Sequence, residues 1–183
     1  GFDAGYTKNA LGLKLRQLQP GINYSKKSIP TVNQTIHINS AILNEKENVI
    51  YATFFHQDQL VKIDCQSGEV LIISEGLNYP HSVREREGNL MIANTRSNEV
   101  LEFNKGGKLI HRVSGPFQWV RDYELVNNKI IFIASANDNS IYSVDYFSGE
   151  VIGKICFNKE WGISKIKYFT KEQGDLIFRF SSE

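Results

Sequence analysis

The sequence predicts an all-β fold, a β-propeller built from four-stranded antiparallel blades. Three observations carry that expectation. A hairpin signature recurs at intervals of roughly forty residues, a β-rich apolar run precedes each copy, and helical periodicity is almost absent. The chain has 183 residues, 41% apolar and 22% charged. That composition fits a globular chain with a real core and excludes disordered and collagen-like classes.

The elements follow in order. Residues 1–30 form an N-terminal segment in which Leu11, Leu13 and Leu15 alternate with period two, so "KNALGLKLRQL" reads as a strand rather than a helix. The repeat region covers 31–183, with blades over about 37–74, 79–114, 119–157 and a partial fourth over 161–183. First strands are headed by "HINSAIL" at His37, "HSVRE" at His81 and "RDYEL" at Arg121. Second strands, "VIYATFF", "LMIANT" and "KIIFIAS", are apolar on both faces, as a strand buried between two neighbouring sheets should be. The outer hairpins are "LVKIDCQSGEV", "VLEFNKGGKL" and "IYSVDYFSGEV". In each, Asp64, Asn104 or Asp145 caps a turn that closes on Gly68, on Gly106 and Gly107, or on Gly149. A fourth unit opens at "WGISKIKYF", runs into "DLIFRF" and stops after two strands. A β-sandwich has similar strand spacing but does not require one hairpin to recur three times.

Three blades and a half do not close a ring. Closure is expected from residues 1–30 acting as the missing outer strands, from blades outside this chain, or from a second copy.

In a propeller the first strand of each blade lines the central channel. Counting back from the second strands puts His37, His81, Arg121 and Ser164 at comparable positions, with Tyr79, Trp119 and Trp161 just before three of them. Asn39 turns to the same side as His37, and Ser82, Arg84 and Asp122 lie close by. A polar mouth ringed by aromatics suits a small molecule. The first functional expectation is therefore a binding module for a small anionic or peptide-like ligand, or a partner. Its ligand-binding set is Asn39, Ser82, Arg84, Trp119, Arg121, Asp122, Trp161 and Ser164, with Arg121 suited to an anion. The second is a metal-assisted lyase or hydrolase in which His37 and His81 are catalytic or metal-ligating. A divalent ion such as zinc would then need a third donor, for which Asp122 is the candidate. The third is a structural or assembly role, in which the same polar groups only fix blade orientation.

Several classes are disfavoured. Net charge is +1 with both signs spread along the chain, so neither nucleic acid nor an anionic membrane is an expected partner. No apolar run approaches the ~20 residues that span a bilayer. The expected location is cytoplasmic, although a chain beginning at Gly1 leaves processing or truncation open. Cys65 and Cys156 lack metal-ligand spacing and read as buried small hydrophobes. His56 and His111 fall in blade-edge loops or outer strands and receive no role. No serine elbow, phosphate loop or zinc-protease helix motif is present.

The chain resembles propellers of the NHL or SMP-30-like type. It is similar in particular to a family carrying His-x-Asn-(Ser or Gly) and, one blade later, Leu-x-x-Pro-His-Ser-x-Arg before a short strand ending Asn-Ser or Asn-Thr. Here these are His37-Ile38-Asn39-Ser40, Leu77 through Arg84, and Asn94-Thr95. The resemblance runs over residues of about 36 to 135. Members of that family are longer, which implies a ring completed beyond this chain, and the resemblance implies no particular reaction. More distant propeller lyases use channel histidines and a metal, an idea that His37 and His81 match in location.

Overall fold

The computed structural model describes residues 6–8, 14–16 and 37–168. Fourteen strands occur among them. The first two, β1 (Tyr6–Lys8) and β2 (Lys14–Arg16), pair only with each other in an antiparallel ladder with Thr7 opposite Leu15. The predicted strand in "KNALGLKLRQL" is met over Lys14–Arg16, while Leu11 and Leu13, with the rest of 1–5, 9–13 and 17–30, lie outside the described residues. Among those described, nothing from this segment joins another sheet.

The remaining strands form three four-stranded sheets, each laid down in chain order. The first holds β3 (Ile38–Asn44), β4 (Val49–Phe54), β5 (Gln59–Asp64) and β6 (Val70–Ser74). The second holds β7 (Pro80–Arg86), β8 (Asn89–Asn94), β9 (Glu99–Phe103) and β10 (Leu109–Ser114). The third holds β11 (Val120–Val126), β12 (Ile130–Ser135), β13 (Ser140–Asp145) and β14 (Val151–Cys156). Among the described residues one 3-10 turn, Thr95–Ser97, interrupts the pattern.

The outer hairpins owe their turns to the capping residues read from the sequence. Asp64 Oδ1 accepts the N–H groups of Gln66 and Ser67 at 2.9 and 2.7 Å, and Asp145 Oδ1 does the same for Phe147 and Ser148. Asn104 Oδ1 accepts from Gly106 and Lys108. These bonds hold both aspartates below the usual carboxylate range, the Ser67 and Ser148 backbone amides contributing most. Gly68, Gly107 and Gly149 close the turns at φ of 71, 84 and 74°.

Two compact units divide the chain: Gly1–Asn94 with Leu101–His111, and Thr95–Val100 with Arg112–Glu183. In the first, Val49, Tyr51 and Leu60 meet Val83, Leu90, Ile92, Leu101 and Phe103 in one apolar cluster that Leu77 completes. Its opposite face carries Ala52, Phe54 and Val61. The first sheet therefore has apolar groups on both sides, as the two-faced pattern of "VIYATFF" requires. In the second unit Ile131, Ile133, Tyr123 and Val144 are buried.

A recurring latch joins each sheet to the segment after it. Asp58, Asn98 and Asn139 stand just before the third strand of their sheets with φ of 54, 57 and 46°. Asp58 Oδ1 accepts the Tyr79 N–H at 2.8 Å and Asn98 Oδ1 accepts the Trp119 N–H at 2.6 Å. Asn139 departs from the pattern. Its Nδ2 donates to the Lys159 carbonyl, its Oδ1 is buried without a partner, and Trp161 donates its N–H to the Asn158 carbonyl instead.

Two expectations fail here. Trp161–Tyr168 contains no strand, so "WGISKIKYF" does not begin one within the described residues, and "DLIFRF" lies outside them. Both cysteines are exposed rather than buried, because Cys65 sits in a hairpin turn and Cys156 ends an outer strand.

Candidate functional site

Strand register decides which side chains share a position. Val49, Asn89 and Ile130 open the second strands and pair with Asn44, Arg86 and Val126. Counting back along the first strands makes His37, Tyr79 and Trp119 equivalent, and Asn39, His81 and Arg121 equivalent. His37 and His81 are thus two positions out of step, which corrects the alignment read from the sequence. The cause is the turn between first and second strand: residues 45–48, 87–88 and 127–129, of unequal length. Counting back through turns of different length displaces the register, and a shift of two preserves the face, so nothing in the alternation betrays it.

Although not equivalent, the two histidines meet the same ring. His37 lies edge-on to Phe55 at 5.6 Å between centroids and His81 lies edge-on to it at 5.4 Å. Tyr79 stacks on Phe55 at 4.5 Å, and His56 approaches Phe55 at 5.0 Å and His37 at 6.0 Å. Local structure explains the convergence. His37 precedes β3, Phe55 and His56 follow β4, and the antiparallel pairing of Ile38 with Phe54 brings those ends together. The Phe55 N–H donates to the His37 carbonyl at 2.8 Å. Asn39 Nδ2 donates to the Pro80 carbonyl and Ser40 Oγ accepts the Val83 N–H, which holds β7 and its leading Tyr79 against β3.

His81 is 8% exposed, and its Nδ1 lies 3.0 Å from the Tyr79 carbonyl oxygen. A carbonyl only accepts, so Nδ1 carries the hydrogen and the neutral ring has Nε2 as its acceptor nitrogen. His37, Phe55, His56 and Tyr79 are half-buried, so the cluster is open to solvent on one side.

The other predicted residues have varied fates. Ser82 is buried at φ 49° beside a register shift in β7, and Arg84 is half-buried on the same strand. In the second unit Trp119 is half-buried at φ 63° and Arg121 is exposed where the ladder of β11 shifts. Asp122 is fully buried and its Oδ2 accepts the Ile166 N–H at 3.0 Å, so the proposed third metal donor is engaged by backbone. Trp161 is 62% exposed and stacks on Phe157, and Ser164 is exposed. Among the described residues no group of three or more His, Cys, Asp or Glu is arranged to hold a metal ion.

Phe55 and His56 are the residues that sequence reading missed. The available signal was position: the turn after a second strand lies at the same end of a sheet as the start of the first strand.

Solved structures resemble the chain in fold. Streptogramin B lyase matches with a TM-score of 0.53 at 13% identity, over 66% of this chain and 40% of that one. The computationally designed Ika4 protein matches at 0.52 and 12%, over 67% and 74%. A chain of the nidogen–laminin complex matches at 0.54 and 12%, over 64% and 46%. The fold is a partial β-propeller. Its blades are the three four-stranded sheets, and the chain spans less than half of the lyase and of the nidogen–laminin chain. No protein-family model and no curated protein matches this propeller. Among its described residues no helix is long and apolar enough to cross a membrane.

Proposed function

We propose that this chain is a binding module of the NHL or SMP-30-like propeller kind, whose ring cluster around Phe55 recognises a small anionic or peptide-like ligand. The observation that carries the reading is the gathering of His37, Phe55, His56, Tyr79 and His81 from three separate segments into one half-open cluster. Aromatic faces give such a site apolar area, and imidazole nitrogens give it directional hydrogen bonds. His81 supports the polar part, with a tautomer fixed by the Tyr79 carbonyl. Arg84, three residues along the same strand, is a candidate for the charge that an anion needs. Blades from outside this chain or from a second copy complete the ring. No metal step is built on His37 and His81, because the described donors supply no third ligand.

The test uses short carboxylate-terminated peptides as probes, followed by the histidine resonances of the full chain, with bound metal measured on the same preparations. The expected result is saturable binding that Phe55→Ala and His81→Ala each weaken by about tenfold, or roughly 1.4 kcal/mol. Equal affinity in parent and variants overturns the reading. A stoichiometric zinc ion that His37→Ala and His81→Ala both lose replaces it with the metal-assisted one.

A further inference from the structure

The turn at 55–58 supplies both the ring on which the cluster converges and the group that fixes its stacking partner. Phe55 opens that turn and Asp58 ends it. Asp58 takes two N–H groups of the chain that leads into β7, that of Leu77 on its backbone carbonyl at 3.0 Å and that of Tyr79 on Oδ1 at 2.8 Å. The N–H between them, on Asn78, goes to Oδ1 of the buried Asn94 at 2.6 Å. Three successive backbone donors are thus fixed before β7 begins, by two residues that stand outside the ring cluster.

This clamp holds Tyr79 at φ 55°, in the left-handed region that a bulky L-residue avoids. In that conformation its ring stacks on Phe55 at 4.5 Å with 16° between the planes, and its carbonyl accepts from Nδ1 of His81. One backbone unit therefore sets both the aromatic wall and the His81 tautomer. The chain varies the clamp elsewhere. In the second unit Asn98 takes the Trp119 N–H and Ser135 Oγ takes that of Gln118 at 2.7 Å, and Trp119 is left-handed and half-buried. Trp161 is not clamped: Asn139 Oδ1 has no partner, the Trp161 backbone is not left-handed, and the ring is 62% exposed. Of these three rings, the two whose N–H an Asp or Asn side chain accepts are drawn in from solvent, and an amide serves as well as a carboxylate.

We infer that Asp58, assisted by Asn94, is a positioning residue of the ligand site: it holds Tyr79 on Phe55, and ligand affinity depends on it although it acts through Tyr79 and not on the ligand. This rests on the binding reading given above. A left-handed Tyr79 is sustained only while the clamp outweighs its strain, so the ring wall stands assembled before a ligand arrives. Binding then carries no further cost of ordering that side chain, which is how a residue remote from the ligand raises affinity. The acceptor rather than the charge performs the role, since Asn98 does the same for Trp119 with an amide oxygen.

The test reads the full chain in two ways: affinity for carboxylate-terminated peptides, and the Tyr79 ring resonances, displaced by the Phe55 stack and assigned by their loss in Tyr79→Leu. Asp58→Gly tolerates the positive φ of its own position and removes the side-chain acceptor. It is expected to weaken binding by about tenfold and to return the Tyr79 resonances to where Phe55→Ala puts them. Asp58→Asn keeps both at parent values. Asn98→Gly opens the equivalent clamp of the second unit, so it should lower the urea midpoint to a similar degree and leave affinity and Tyr79 unchanged. Parent-like affinity or parent-like resonances in Asp58→Gly overturn the inference. So does equal weakening by Asn98→Gly, which would mean general loosening, and so does a loss in Asp58→Asn, which would move the effect to charge. If the parent binds no peptide, the binding reading fails and the resonances decide alone: returned in Asp58→Gly they support the positioning role, unmoved they overturn it. Should Asp58→Gly not fold, Asn94→Ala, which releases the neighbouring Asn78 N–H, is read by the same criteria.

Discussion

At the scale of single residues, Gly107 is the glycine with positive φ, among the described residues, that another strand approaches most closely. Its φ is 84°, and a Cβ built there would lie 2.1 Å from the Ile73 carbonyl oxygen of β6. Gly149 closes the equivalent turn of the third sheet at φ 74°, with its nearest neighbour, the Ser114 oxygen, 3.7 Å away. Gly149→Ala should cost about 1 kcal/mol from left-handed backbone alone. Gly107→Ala should cost on the order of 3 kcal/mol, because the turn must also withdraw from β6. Urea unfolding of the two variants checks the order, and equal midpoints would show that the close approach does not matter. Both glycines are visible in the sequence as turn residues. That only one of them leaves no room for a Cβ beside another strand is not, since the close approach joins positions 34 residues apart through tertiary packing.

At the scale of elements, the latch formed by Asn98 and Trp119 can be separated into its parts. Asn98→Gly keeps the positive φ and removes the acceptor, so about 1 kcal/mol should be lost. Asn98→Ala removes the acceptor and adds the left-handed penalty, for roughly 2 to 3 kcal/mol in total. Denaturant midpoints for the pair give the difference directly, and an alanine variant no worse than the glycine one would contradict the assignment of Asn98 to left-handed backbone. The hairpins with Asp64, Asn104 and Asp145 were legible because a short polar residue and a glycine at fixed spacing determine a turn locally. The relation of His37 to His81 was not, because it depends on turns of four, two and three residues at 45–48, 87–88 and 127–129. The apolar alternation either side of those turns is unchanged by a two-residue displacement. Phe55 and His56 escaped for a related reason: they lie in a turn, where composition says little, and matter through the strand ends beside them.

At the scale of the whole molecule, both units carry acid-sensitive ties. In the first, Lys105 donates to Glu47 and to Glu85, and Tyr51 Oη donates to Glu47 at 2.8 Å. The Lys105 hydrogen bond is the main cause that lowers the Glu47 carboxyl, while burial and then the Glu47 contact push the Tyr51 phenol up to about 12. In the second, burial raises Asp138, but bonds from Ser135, Tyr142 and Lys154 outweigh it and leave the carboxyl lowered. A carboxyl whose folded pKa is depressed stabilises fully above its unfolded value, near 4, and loses that contribution as pH falls through the folded value. The contribution of these two carboxyls to stability should therefore be flat from neutrality to about pH 5 and fall below about pH 4. Glu47→Gln and Asp138→Asn should each flatten the fall, as read from urea midpoints against pH, and an unaltered slope in both would remove these groups from the account. The repeat and the fold class were legible at this scale because four-stranded units at a fixed spacing leave few architectures open.

The latch residues also bear on the order in which the chain acquires its structure. Asp58 reaches Tyr79 and Asn98 reaches Trp119 over 21 residues in both cases. Loops of that length close at modest entropic cost, so each sheet can be fastened to its successor without waiting for distant parts of the chain. A nascent chain emerging from its N-terminus could then consolidate one sheet at a time, with each Asx residue securing the growing edge before the next hairpin is complete.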